Sequence, residues 1–299
     1  MEKILFTCSD KVSKDSLLYN YNSLTGYACY EELKKEIDAF SDLDQTSIAQ
    51  VLVIVSPKAY DTELQAINNA FFSNQKEGLQ SMGAPYDVCC ACQIDQLNID
   101  KYKLIIFFDA FDIVSADFVQ KLKNEDKTVL WIYGPDYVNN GLAGIQNTTE
   151  INVVQLIGEE DQVHTHFGTI NVAADLLPKF FIEDNDVMPL GIYPNTEKVA
   201  IGMKRFGSWI SIYSTIGCLG GGLLRNIARI AGVHIYSDDD DAPVYISETV
   251  KAIYSDKDTV FSIKDGTYTE MLTGKTFTVE NGKLLVAKGE NPLKIFVRK

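Results

Sequence analysis

Two aspartates close apolar runs that read as buried strands: Asp109 follows "LIIFF", and Asp136 follows "VLWIYGP" with Tyr133 and Tyr137 beside it. In an open α/β sheet, ligands sit outside the carboxyl ends of the strands, where the strand order reverses. Asp109, Tyr133, Asp136 and Tyr137 are therefore the candidate ligand-binding residues, arranged around a strand-end crevice. A plainer use exists for the same residues, because Asp often caps the helix that follows a strand and Gly-Pro-Asp is a common turn.

Other residues invite chemistry with less support. Cys218 lies among glycines in "YSTIGCLGGGLLRNIA", where a strand-to-helix turn could present a nucleophile. A thiol nucleophile needs a base, and His164, His166 and His234 are the chain's only histidines. The glycines before that helix suggest a phosphate cradle, but neither a Lys-Ser/Thr pair nor the G-x-G-x-x-G spacing accompanies them. His164 and His166 in "VHTHF" would share one face of a strand, yet a metal site needs further ligands and none is identifiable, so no metal is expected. Cys89, Cys90 and Cys92 in "CCAC" would alternate across a strand, which favours packing over joint ligation. The run Asp238–Asp241 lacks the glycine-containing rhythm of a calcium loop and reads as a solvated linker. No cofactor motif is found.

The elements that must position these residues follow from periodicity. "AQVLVIVS", "YDVCCAC", "KLIIFF" and "TVLWIY" read as strands, and the continuous apolar, β-branched runs among them are typical of strands buried on both faces. Helical spacing in the stretch from Asp61 to Met82 and in "ADFVQKLKN" places helices between them. The alternation predicts an α/β fold: a flavodoxin-like open sheet with helices on both faces. Later, "LGIYPNTEKVAIGMKRFGSWISIYS" reads as an antiparallel meander, and "LLRNIARIAG" as a helix closed by Gly232. From Val244 onward, short strands between closely spaced turns predict a small all-β, sandwich-like domain. Near the start, Tyr30, Leu33, Ile37 and Phe40 mark an amphipathic helix from Ala28 to Phe40. The expected division is an N-terminal helical segment at 1–46, an α/β domain at 47–237 and a β domain at 243–299.

A formal net charge of −14 opposes binding to a phosphate backbone, and the basic residues form no stripe, so nucleic-acid binding is not expected. No apolar run is long enough to span a bilayer, and the opening "MEKILFTCSDK" is too short in apolar residues for a signal peptide. A cytoplasmic location and reduced thiols are the resulting expectations.

Together, "GAPYDV", "DKYKLIIFFDAFDI", "TVLWIYGPDYV", "KRFGSWISIYS" and "IARIAGVHIYSDDDDAPVY" resemble the C-terminal half of family-42-like glycoside hydrolases, the β-galactosidase and agarase-like group. The resemblance implies a glutamine-amidotransferase-like "trimerisation" domain followed by a small β domain, with "YNYNSLTGYACYEELKKEI" similar to the end of a (β/α)8 barrel. In that family both catalytic glutamates come from earlier barrel strands, so no residue here inherits either role. Class I amidotransferases carry their cysteine on the strand-to-helix elbow, which corresponds here to "YGPDY" and holds no thiol.

The implied function is a non-catalytic accessory and oligomerisation module associated with carbohydrate metabolism. Its expected partners are further copies of itself or a catalytic barrel, with a carbohydrate ligand as an additional expectation. The alternatives are a carbohydrate-binding protein or small hydrolase using the crevice near Asp109 and Asp136, and a Cys218-dependent hydrolase.

Overall fold

A computed structural model describes residues 43–56, 74–112, 115–173, 176–289 and 291–298. The helix expected from Ala28 to Phe40, most of the 1–46 segment and much of the 61–82 stretch lie outside the described residues.

The first strand, β1 (Val51–Val55), is followed by α1 (Asn74–Gln80), β2 (Tyr86–Cys90) and a 3-10 helix at Ala91–Gln96. Then come β3 (Leu104–Phe107), α2 (Ala116–Asn124), β4 (Lys127–Ile132) and α3 (Tyr137–Thr149). β1 pairs in parallel with both β2 and β3, and β3 pairs in parallel with β4. The apolar runs explain this burial: every residue of β3 and β4 is buried, as two-sided coverage of a parallel sheet requires. α2 begins where Ser115 accepts the N–H of Phe118, and it turns Phe118 and Leu122 onto the sheet. Phe118 meets Phe107 edge-on, and Phe107 stacks on Trp131 at 4.4 Å.

Seven further strands complete the sheet: β5 (Val153–Gln155), β6 (Gln162–Thr165), β7 (Gly168–Asn171), β8 (Phe180–Ile182), β9 (Met188–Ile192), β10 (Val199–Arg205) and β11 (Trp209–Ser214). β9, β10 and β11 form the antiparallel meander, and β11 also lies parallel to β4 from Trp209↔Lys127 to Ser214↔Ile132. Among the described residues the result is an eleven-stranded mixed sheet whose main path runs β2-β1-β3-β4-β11-β10-β9-β6-β7. α4 (Gly221–Ile230) follows β11 and ends before Gly232, whose φ of 73° suits the left-handed close of a helix.

A second, smaller core contains Phe261, Tyr268 and Phe296. It is enclosed by β12 (Val244–Ile246), β13 (Val250–Tyr254), β14 (Thr259–Phe261), β15 (Gly266–Glu270), β16 (Thr276–Val279), β17 (Leu284–Val286) and β18 (Leu293–Arg298). Five of these strands form one antiparallel sheet, and β14 pairs with β17 separately. Ile48 packs on this second core, and Glu248 and Thr249 donate backbone N–H groups to Thr46 and Asp44. No described helix is long and apolar enough to cross a membrane.

Two local expectations are corrected. β2 ends at Cys90 because the chain tightens into the 3-10 helix, so Cys92 does not continue the strand. His166 lies in the turn between β6 and β7, so it shares no strand face with His164. Asp238, Asp240 and Asp241 of the acidic run are exposed, as a solvated run would be, and the run is also ion-paired. Asp240 pairs with Arg225 at 2.6 Å, Asp238 pairs with Arg229, and Asp239 and Asp241 both meet Lys257 at 2.9 Å. Arg225 is itself buried and also donates to the carbonyls of Ser81, Met82 and Asp238.

Candidate functional site

Most of the candidate residues stand just past the carboxyl ends of the central parallel strands β3 and β4. Asp109 stands two residues beyond β3, only 3% exposed, and its Oδ1 accepts the N–H of Ser56 at the end of β1 at 2.7 Å. Its Oδ2 has no hydrogen-bond partner among the described residues. Burial is the largest influence and pushes the carboxyl up to about 7, with the Ser56 N–H pulling down and Asp112 pushing up. A buried acid of this kind is half protonated near neutrality and can donate or accept.

Tyr133 occupies the bend between β4 and α3 with φ of 61°, a left-handed conformation that is rare for a bulky residue. Three hydrogen bonds hold it there. Its N–H donates to Ser214 O at 2.7 Å, its carbonyl accepts from the Tyr213 hydroxyl at 2.5 Å, and its own hydroxyl donates to Pro178 O at 2.8 Å. Burial pushes the phenol above its ordinary value. Tyr133 thus marks a tightly held bend between β4 and α3.

Asp136 sits at the start of α3 in the left-handed region and makes no side-chain bond to the helix end. Its N–H donates to Ala110 O at 2.8 Å, which ties the bend to the loop after Asp109. Its carboxylate accepts from Asn140 at 2.7 Å and Asn139 at 3.4 Å. Tyr137 packs on Phe180 at 5.3 Å, and Tyr133 packs on the same ring at 5.4 Å and on Phe111 at 6.0 Å. The two tyrosines therefore meet in one aromatic cluster, while the two aspartates serve different partners.

Cys218 lies past the end of β11, beside a cavity of about 190 Å³ lined also by Asn171, Val172, Leu176, Ile216 and Gly217. Burial, with Glu77 adding repulsion, pushes its thiol up to about 11, the direction opposite to nucleophile activation. His234 Nε2 contacts Ser262 O at 3.0 Å, and His166 packs edge-on against Phe167. No described hydrogen bond joins a histidine to Cys218. Among the described residues no group of three or more His, Cys, Asp or Glu side chains is placed to hold a metal ion.

One partner near Cys218 was not legible in the sequence. Gln75, 1% exposed, donates to Leu219 O at 2.9 Å and accepts the Leu219 N–H at 2.8 Å, so an α1 side chain pairs with the loop before α4 as a strand would. No residue type or spacing announces such a clamp.

Comparison with known proteins bears on the fold. The chain is similar in structure to β-galactosidase from Bacillus circulans sp. alkalophilus, with a TM-score of 0.62 and 17% identity, over 90% of this chain and 44% of that one. It is also similar to β-galactosidase from Rahnella sp. R3, with a TM-score of 0.57 and 13% identity, over 90% of this chain and 43% of that one. Gan42B, a GH42 β-galactosidase from G. stearothermophilus, matches with a TM-score of 0.55 and 12% identity, over 90% and 42%. At these identities the likeness shows a shared fold, and the chain spans less than half the length of the enzymes it matches. No protein-family model matches the sequence, and no curated protein is significantly similar to it.

Proposed function

We propose that this chain is a non-catalytic accessory module related to GH42 β-galactosidases, and that it works by contact with further copies of itself or with a catalytic barrel. The observation that carries the reading is the coverage: 90% of this chain matches 42–44% of the solved β-galactosidases. Counting parallel strands alone, the order β2-β1-β3-β4-β11 corresponds to 2-1-3-4-5, which supports the flavodoxin-like, amidotransferase-like interpretation of the large sheet.

Support for contact comes from the β domain. Opposite its core, the five-stranded sheet turns outward Tyr245, Tyr254, Leu293 and Ile295, continued by Thr269 and Thr276. None of the outward positions in these strands is charged, in a chain with a net charge of −14. An uncharged face with exposed tyrosines is where two acidic surfaces can meet without bringing carboxylates together.

The deciding experiment combines a chromogenic galactoside assay with sedimentation of the purified chain. Self-association without turnover is expected. Enzyme-like turnover that disappears when one acidic side chain is replaced overturns the non-catalytic reading.

A carbohydrate-binding reading is favoured by a single observation, the unpartnered Oδ2 of buried Asp109. Calorimetric titration of galactosides against the wild type and Asp109→Ala tests it, and equal heats from both proteins discard it.

A further inference from the structure

Three of four consecutive residues at the end of β2 carry free thiols: Cys89, Cys90 and Cys92. The Cys89 thiol donates to the carbonyl of Cys90 at 3.3 Å, and strand alternation sends it to the face opposite Cys90. Cys90 behaves differently. It caps the 3-10 helix, with its Sγ accepting the Cys92 N–H at 3.4 Å. Cys92 is exposed and Cys90 is half-buried.

Backbone geometry selects the same pair. In a strand, residues two apart are separated by about 6.6 Å with parallel Cβ directions, which holds their sulfurs apart. Because Ala91 opens a 3-10 turn, ideal 3-10 geometry brings the Cα atoms of Cys90 and Cys92 to about 5.5 Å, inside the range of about 4.4–6.8 Å that a disulfide requires.

We propose that Cys90 and Cys92 form a thiol–disulfide exchange site that oxidised glutathione, or another low-molecular-weight disulfide, converts into an intramolecular disulfide. The exposed Cys92 thiolate attacks one sulfur of oxidised glutathione, forming a Cys92–glutathione bond and releasing one glutathione thiolate. Cys90 then loses its proton, and its sulfur displaces the second glutathione from Cys92. Two protein thiols are oxidised, one glutathione disulfide is reduced, and the two protons pass to the departing glutathione thiolates. The bond fixes the last rung of edge strand β2, where Cys90 pairs with Val55. The neighbouring Cys90 side chain is the largest cause holding the Cys92 thiol above its ordinary value, so exchange accelerates as pH rises.

The test treats the folded chain with oxidised glutathione, quenches by alkylation and maps the tryptic peptides. No Lys or Arg lies between Lys76 and Lys101, so all three thiols fall in one peptide. The expected product is that peptide lighter by two hydrogens, with one alkylated thiol at Cys89. Cys90→Ser should retain a glutathione adduct on Cys92, Cys92→Ser should retain one on Cys90, and Cys89→Ser should close the bridge as the wild type does. A stable glutathione adduct in the wild type, a bridge that includes Cys89, or closure equally fast in the urea-unfolded chain overturns the proposal.

Discussion

The Asp109 carboxylate accepts the backbone N–H of Ser56 at 2.7 Å and so joins the chain just past the carboxyl ends of β1 and β3. That bond does not offset the burial of the group, since its carboxyl still rises to about 7. The folded state therefore holds the proton more tightly than the unfolded chain, whose Asp titrates near 4. Below that value the group imposes no cost, and stability is lost as pH rises from about 4 to about 7. At about 1.4 kcal/mol per pH unit the loss is on the order of 4 kcal/mol. Asp109→Asn should flatten the pH dependence of unfolding free energy across this window. Parallel wild-type and variant curves in urea titrations from pH 4 to 8 discard the argument.

Arg225 is expected to matter far more than its exposed partner. Its guanidinium is buried and reaches three backbone carbonyls besides Asp240, whose side chain is 63% exposed. Arg225→Met strands those carbonyls and should cost about 3–5 kcal/mol. Asp240→Asn removes one solvent-screened ion pair and should cost under about 1 kcal/mol. Urea unfolding of both variants gives the comparison, and equal losses contradict the carbonyl-clamp account.

Much of this architecture was readable as apolar rhythm. "VLVIV", "LIIF" and "TVLWI" are strands because continuous β-branched and aromatic runs suit two covered faces. What periodicity could not supply is pairing between distant segments. β11 belongs to a meander by its turns, yet it also lies parallel to β4, about eighty residues earlier in the chain, and no local signal encodes that neighbour. The ion pairs of the acidic run carry no local signal, because the residues that meet it, Arg225, Arg229 and Lys257, stand outside it in sequence. Tyr133 was singled out for its place after a strand, while its positive φ and the bond from its hydroxyl to Pro178 O depend on segments folded around it.

Gly78 should reverse the usual effect of alanine in a helix. Replacing glycine by alanine inside an exposed helix stabilises it by about 1 kcal/mol. At Gly78 a Cβ would stand 2.1 Å from the carbonyl oxygen of Leu219 and 2.7 Å from Nε2 of Gln75. The methyl would push apart the Gln75 clamp, so Gly78→Ala should lower stability by about 2–4 kcal/mol. Thermal melts decide this, and a raised midpoint means that α1 and the Leu219 loop are not in contact.

The outward face of the five-stranded sheet gives the sharpest test of the contact function. Tyr254 is 48% exposed, Tyr245 38% and Leu293 37%, and Tyr254 stands directly opposite Leu293 across the β13–β18 ladder. The core-side positions of these two strands hold the buried Ile253 and Phe296, whereas Tyr254 and Leu293 face outward, so an outward charge can be introduced without entering the core. Tyr254→Glu combined with Leu293→Glu places two carboxylates on the proposed interface and should weaken self-association at least tenfold, through desolvation of charge and repulsion between acidic copies. Unfolding free energy should change by less than about 1 kcal/mol, because both side chains are partly solvated. Sedimentation velocity across a concentration series measures the assembly and urea titration measures the fold. A monomeric wild type at high concentration, or a double variant that associates as the wild type does, removes this face from the argument for oligomerisation.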